Sequence, residues 1–249
     1  MTDTKAVALT EDQFLQDANS GLENVGADDL ALPFLKIAQA MSPQLKKHDG
    51  QHIEGLEEGD LFNSLDGTVY KQDKGITVVP VAYKRTWLEW RPDRDGLETV
   101  HTTSEILGKT TKGPRGEDIL ENGNTVQTTA NHYVFILNEE GEGYSPALLS
   151  LTGSQLKKSR KWNAMMAGIK IRSSKGQLFT PATFSHKYHM KTGLETWQQN
   201  SWFGVDFSLI GRLGGEEAQL YEEARSFAKS VVAGEVDIPT TTSGDDTPF

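Results

Sequence analysis

The run GITVVPVAYK (Gly75–Lys84) continues without a break into RTWLEW (Arg85–Trp90), and NHYVFILNEE (Asn131–Glu140) repeats the same chemistry. β-Branched and aromatic residues dominate both, and turn-forming or charged residues bound them, which is the composition of strands. DLFNS, YSPALLSL (Tyr144–Leu151), QLFTPATFSHKYHMKTG and TWQQNSWFGVDFSLIGRL predict further short strands, and Asp66-Gly67 and Asn122-Gly123 are tight-turn dipeptides. Pro80 lacks a ladder donor, so it marks an edge position or a bulge. Strands and helices do not alternate as a parallel sheet requires. The expected fold is mainly β with added helices, in a small barrel or sandwich.

Two segments break the strand pattern. TGSQLKKSRKWNAMMAG (Thr152–Gly168) opens with Thr152 and Gln155 at capping-box spacing and predicts a mid-chain helix. In Gly214–Val232, Leu220, Ala224, Phe227, Ala228 and Val231 share one helical face, with Glu216 and Glu217 at its positive end. Before them, residues 1–29 read as an acidic arm with one short helix around Glu11–Ala18. Residues 30–232 read as the folded domain, and residues 233–249 as an acidic, aperiodic tail. The chain has no cysteine, no apolar leader at its start and no run of 18 apolar residues. A soluble, cytoplasmic protein without disulfides or a membrane partner is expected.

The formal net charge is −10, but it is unevenly spread. From Gly143 to Leu194, 52 residues contain no Asp or Glu and nine Lys or Arg. The rest of the chain carries 16 basic against 35 acidic residues. Such segregation is the electrostatic footprint of a polyanion site, unless the protein's own acids neutralise the block in space.

Catalytic and metal motifs fail on spacing. ILGKT (Ile106–Thr110) has Thr103 where a phosphate loop needs its first glycine. RPDRDG (Arg91–Gly96) puts Arg91 at the first ligand position of a calcium loop. His186 and His189 fall on opposite faces of a strand, and neither G-x-S-x-G nor H-E-x-x-H occurs. A non-enzymatic protein without metal or cofactor is expected.

Trp162, Phe179, Phe184, Tyr188, Trp197, Trp202 and Phe203 lie in or beside the basic block. Cations follow phosphates, and aromatic faces stack on unpaired bases at about 1–3 kcal/mol each, so this interleaving suits single-stranded nucleic acid. The candidate DNA-binding residues are Lys157, Lys158, Arg160, Lys161, Trp162, Lys170, Arg172, Lys175 and Tyr188, with Lys84, Arg85 and Trp87 as a second patch. Alternation sends Trp87 and Trp90 to opposite strand faces.

The end of the chain, SGDDTPF, resembles the C-terminal tip of bacterial single-stranded DNA-binding proteins and their phage counterparts, with Asp245, Asp246, Pro248 and Phe249 in matching places. The resemblance implies a docking peptide for replication or recombination proteins such as a polymerase, helicase-primase or nuclease. An apolar ring, a carboxylate and steering aspartates suit a pocket with a basic rim. LPFLKIAQAMSPQL, GDLFNSLDGTVY and ITVVPVAYKRTWLEW, roughly residues 30 to 92, are similar to phage-encoded single-stranded DNA-binding proteins. That family implies an OB-type barrel, here an OB-fold-like barrel of five or more strands with the mid-chain and C-terminal helices added, that protects exposed strands without catalysis. A homo-oligomer is a further partner to expect. The tail has only Asp245 and Asp246 near its tip, with Glu235 and Asp237 further back, so it is less acidic than many relatives. A strand-annealing recombination protein and an acidic DNA mimic that inhibits a host enzyme are the alternatives.

Overall fold

The computed structural model describes residues 10–17, 20–21, 32–138 and 143–236. The chain divides into two compact units, residues 1–31 and 32–249. In the first, helix α1 (Glu11–Gln16) starts behind Thr10, whose backbone N–H donates to Gln13 Oε1 (2.9 Å).

The second unit is mainly β, as the strand runs predict. Three short strands, β1 (Leu35–Ile37), β2 (Leu61–Asn63) and β3 (Val69–Tyr70), form a small antiparallel sheet. The principal sheet has eight strands: β4 (Ile76–Trp90), β5 (Leu97–His101), β6 (Thr111–Lys112), β7 (Asp118–Ile119), β8 (Thr125–Leu137), β9 (Tyr144–Thr152), β12 (His186–Trp197) and β13 (Asn200–Arg212). A hairpin of β10 (Ile171–Arg172) and β11 (Leu178–Phe179) stands outside it. GITVVPVAYK and RTWLEW are one strand, β4, paired with β8 from Thr77–Leu137 to Trp90–Thr125.

The long central strands each serve two neighbours along their outer edge. On β4, β12 pairs only with Ile76–Val78, and β5 only with Trp87–Trp90. On β8, β7 pairs at Thr125 and Val126, and β9 from Thr129 onwards. The sheet therefore splays at its ends and curls into a half-barrel. Pro80 sits in the gap between β12 and β5, where the outer edge of β4 has no strand neighbour, and the β4–β8 register shifts between Pro80 and Ala82. It occupies a local edge and a bulge at once, so its missing donor is tolerated inside a central strand.

Both faces of β8 are buried, which explains its unbroken apolar run. Ala130, Val134 and Ile136 point into the barrel with Val78, Leu149 and Met190. Tyr133 and Phe135 point outwards beneath helix α3 (Ala218–Ala233). Ala224 and Val231 of α3 are buried there, with Leu220, Phe227 and Ala228 packed alongside, the face expected from periodicity. Gly214 N–H donates to the Glu217 carboxylate (2.7 Å) ahead of α3, and Gly234 ends the helix at φ +82°. That left-handed position suits glycine. Val236 is buried beside Tyr133 and Leu148, so the packed chain runs past the expected boundary at Val232.

Helix α2 (Leu156–Gly168) closes the barrel core from the other side. Trp162 is 0% exposed and stacks on Phe207 at 3.9 Å and 9°, with the Tyr188 ring edge-on at 5.7 Å and His132 at 4.8 Å. The small sheet spans the open side. At one end Phe34 bridges to Leu148, and Leu148 N–H donates to Pro33 C=O (2.8 Å). At the other end Gln39 Nε2 donates to Phe203 C=O (2.7 Å), Phe203 N–H donates back to Gln39 Oε1 (2.9 Å), and the Thr192 hydroxyl donates to Gly59 C=O. Gly59 has φ +92°, and a Cβ there would meet the Phe203 ring at 2.6 Å, so only glycine fits this seam.

The capping box expected at Thr152 does not form. A 3-10 turn (Gly153–Gln155) precedes α2, and the Thr152 side chain makes no cap bond. Gln155 Oε1 instead accepts the Val205 backbone N–H (3.0 Å). An edge-strand donor that would otherwise go unpaired outcompetes the local cap. Among the described residues no helix is long and apolar enough to cross a membrane.

Trp162→Ala should lower unfolding free energy by about 3–5 kcal/mol, whereas Trp197→Ala at the exposed β12–β13 turn should stay within about 0.5 kcal/mol of wild type. Urea titration of the two variants checks both values.

Candidate nucleic-acid interface

Helix α2 divides its residues by the helical period. Ser159, Trp162 and Met166 face the barrel and are buried, while Lys157, Arg160 and Lys161 are exposed. The Ser159 hydroxyl lies 2.8 Å from His132 Nε2, which fixes the helix over β8. Beyond Gly168 the chain enters the β10–β11 hairpin, where Lys170, Arg172 and Lys175 are exposed. Lys170 Nζ donates to Ala167 C=O (3.3 Å) and to the Thr180 hydroxyl, and Arg172 Nη1 donates to Gly176 C=O (2.7 Å). These bonds to uncharged oxygens order the side chains without neutralising them.

Seven of the nine cations of the acid-free block are exposed and carry no carboxylate partner among the described residues: Lys157, Arg160, Lys161, Lys170, Arg172, Lys175 and Lys191. The other two are engaged. Lys187 Nζ meets Glu217 at 2.5 Å, and Lys158 Nζ meets Glu195 at 2.7 Å and Asp206 at 2.9 Å. Burial alone would lower the Lys158 pKa, but the two carboxylates override it and raise the pKa above its ordinary value. Internal neutralisation thus accounts for two cations and leaves seven exposed, six of them on α2 and around the β10–β11 hairpin.

The second patch divides. Arg85 is exposed, and its Nε donates to the Tyr83 hydroxyl (3.2 Å). The Tyr83 ring lies 4.9 Å from His132, which touches Ser159 and Trp162, so two side chains, Tyr83 and His132, link Arg85 to α2. Lys84 is half-buried and alternates onto the other face of β4. Trp87 is buried, as is Trp90.

Three aromatic assignments need correction. Trp162, Tyr188 and Trp87 are core residues with no ring face open to a base. The aromatics left at the surface are Trp197, 63% exposed beside the Gln198–Gln199 turn, and Phe179, 44% exposed on the β10–β11 hairpin. The sequence held a signal for Trp197: two glutamines separate it from Asn200, its partner across the turn, and a hairpin tip offers little to pack against. Strand alternation places Lys191, Glu195 and Trp197 on one face, opposite Asp206 and Trp202 of β13. Asp245, Asp246, Pro248 and Phe249 lie outside the described residues.

His186 and His189 face opposite sides, with His186 buried against the Ser185 hydroxyl (2.8 Å). Among the described residues no three metal-ligating side chains gather. His132 carries the largest histidine perturbation, because burial under α2 lowers its pKa from 6.5 to about 3. The folded chain therefore holds it neutral, whereas the unfolded chain protonates near pH 6.5. Its contribution to stability should be level above that pH and fall as pH drops towards 3, by up to about 1.4 kcal/mol per unit. Urea titrations between pH 7 and pH 4 should show a shallower loss in His132→Gln than in wild type.

No curated protein and no solved structure matches the chain. A family model described as "Pam3 phage gp34-like protein" matches residues 2–237, which takes in the barrel, α2, the basic hairpin and α3 but stops short of Asp245–Phe249. With nearly its whole length matched, the chain belongs to the Pam3 phage gp34-like protein family, and so to the proteins of bacteriophages.

Proposed function

We propose that this phage protein binds single-stranded DNA, without catalysis and with little regard to sequence, during phage DNA replication or recombination. The observation that carries the reading is the surface of seven exposed cations without carboxylate partners, concentrated on α2 and the hairpin that follows it. In a chain of net charge −10, seven exposed cations left without a carboxylate partner among the described residues favour a polyanionic ligand. Exposed Phe179 and Trp197 favour unpaired bases over duplex, because a base offers its π-face only when unstacked. Exposed Arg85 would add a further cation on β4. The tip around Asp245, Asp246, Pro248 and Phe249 would recruit replication or recombination enzymes. Deleting Gly244–Phe249 should abolish capture of such enzymes and leave DNA affinity equal to or above wild type, as a pull-down and a DNA titration of the truncated chain would show.

The rival readings separate in solution. A strand-annealing protein would form rings and speed pairing of complementary strands. A DNA mimic accounts for the net acidity but not for the exposed cations, and it would leave oligonucleotides unbound.

Fluorescence anisotropy of labelled oligo-dT, about 30 nucleotides long, against a matched duplex should show binding to the single strand alone. If about five phosphates are neutralised, the log–log salt slope should lie near −3.5. Absence of binding at low salt would overturn the reading.

A further inference from the structure

We propose that Lys158 is a phosphate-binding position that the free protein itself occupies: Glu195 and Asp206 hold its ammonium as stand-ins for DNA phosphate, and a bound single strand displaces them. The inference rests on the single-strand reading above and names how one position of that surface is regulated.

Four cations crowd the first two turns of α2, and three of them, Lys157, Arg160 and Lys161, are exposed without a carboxylate partner among the described residues. Lys158 alone is bridged, by one carboxylate from each strand of the β12–β13 hairpin. Glu195 is the first acid after the 52-residue acid-free run, and Asp206 is the next acid along the chain. Those two carboxylates thus converge on the one α2 cation that faces the hairpin. Two carboxylate oxygens at 2.7 and 2.9 Å from one ammonium reproduce the charge and spacing with which phosphate oxygens meet a lysine.

The site is also open enough to exchange. The Lys158 side chain is 23% exposed and that of Asp206 is 53% exposed, so a phosphate can approach from solvent on the Asp206 side. The half-exposed Lys158–Asp206 pair is solvent-screened and weak, and a polyanion that already contacts the flanking cations gains an effective-concentration advantage over it. On displacement Asp206 faces water directly, whereas Glu195, whose Oε1 is buried in the ion pair, must swing outwards to regain it. Gln155 beside them stays anchored through the Val205 N–H, so α2 keeps its seat while the ion pairs exchange.

The test compares Glu195→Gln/Asp206→Asn in the Lys158 background with the same pair in a Lys158→Met background, by oligo-dT anisotropy over a salt series. Both replacements are isosteric, and Asp206→Asn alone supplies a milder variant; melting curves confirm folding. With Lys158 present, the double variant should bind about 3- to 10-fold tighter, because the strand no longer has to displace two acids, and Lys158→Met with both acids in place should flatten the log–log salt slope by about 0.7, the increment of one phosphate on a single strand. In the Lys158→Met background the acid replacements should tighten binding less. An unaltered slope in Lys158→Met, or an equal tightening in both backgrounds, would overturn the proposal while leaving DNA binding intact. Oligonucleotide left unbound by wild type and every variant would overturn the single-strand reading as well.

Discussion

The stacking of Trp162 on Phe207 is the contact on which the rest of the fold depends. A half-barrel has an open core, and the indole of α2 fills it against β13, with Tyr188 of β12 and His132 of β8 around its edges. One side chain therefore ties three strands that do not all neighbour one another in the sheet. Because the buried face of α2 is held by that ring and by the Ser159–His132 contact, its opposite face is held outwards in a fixed orientation. The cations at Lys157, Arg160 and Lys161 inherit their geometry from the core beneath them.

Charge segregation along the chain persists on α2 and the β10–β11 hairpin, where six cations are exposed without a carboxylate partner among the described residues. Acids reach the block at two cations, Glu195 and Asp206 together at Lys158 and Glu217 alone at Lys187. Glu217 joins Lys187 to the start of α3, and its carboxylate also receives Gly214 N–H. Burial alone would raise the Glu217 pKa, and these two donors outweigh it and lower the pKa below the ordinary value. That acid works as a joint between β12 and α3, well suited to staying ionised.

Much of the architecture could be read from residue chemistry, and the limits fall where tertiary competition decides. The β-branched runs, the amphipathic face of α3 and the bulge at Pro80 follow from local rules, since pleat, helical period and a missing donor act over a few residues. The cap at Thr152 failed because Gln155 had a better partner, Val205, 50 residues away. Trp162 and Tyr188 sit amid lysines in the sequence, and nothing local says that the core claims them while Trp197 and Phe179 stay outside. Composition located the basic surface; which aromatic belongs to it is a property of packing. The partners of Lys158 were equally invisible, because they arrive from the two strands of a distant hairpin.

Gln39 and Gln155 have a consequence beyond closing the barrel. Together they occupy the outward N–H of Phe203, its carbonyl, and the N–H of Val205, which are the groups a foreign strand would need in order to add itself to β13. The two amides act as a counterfeit neighbour. A sheet whose terminal strand carries exposed Leu209 and Ile210 would otherwise be a template for the next molecule. Crowded together, such molecules can stand at high local density and remain separate, because part of the edge through which sheets fuse has already been answered from within.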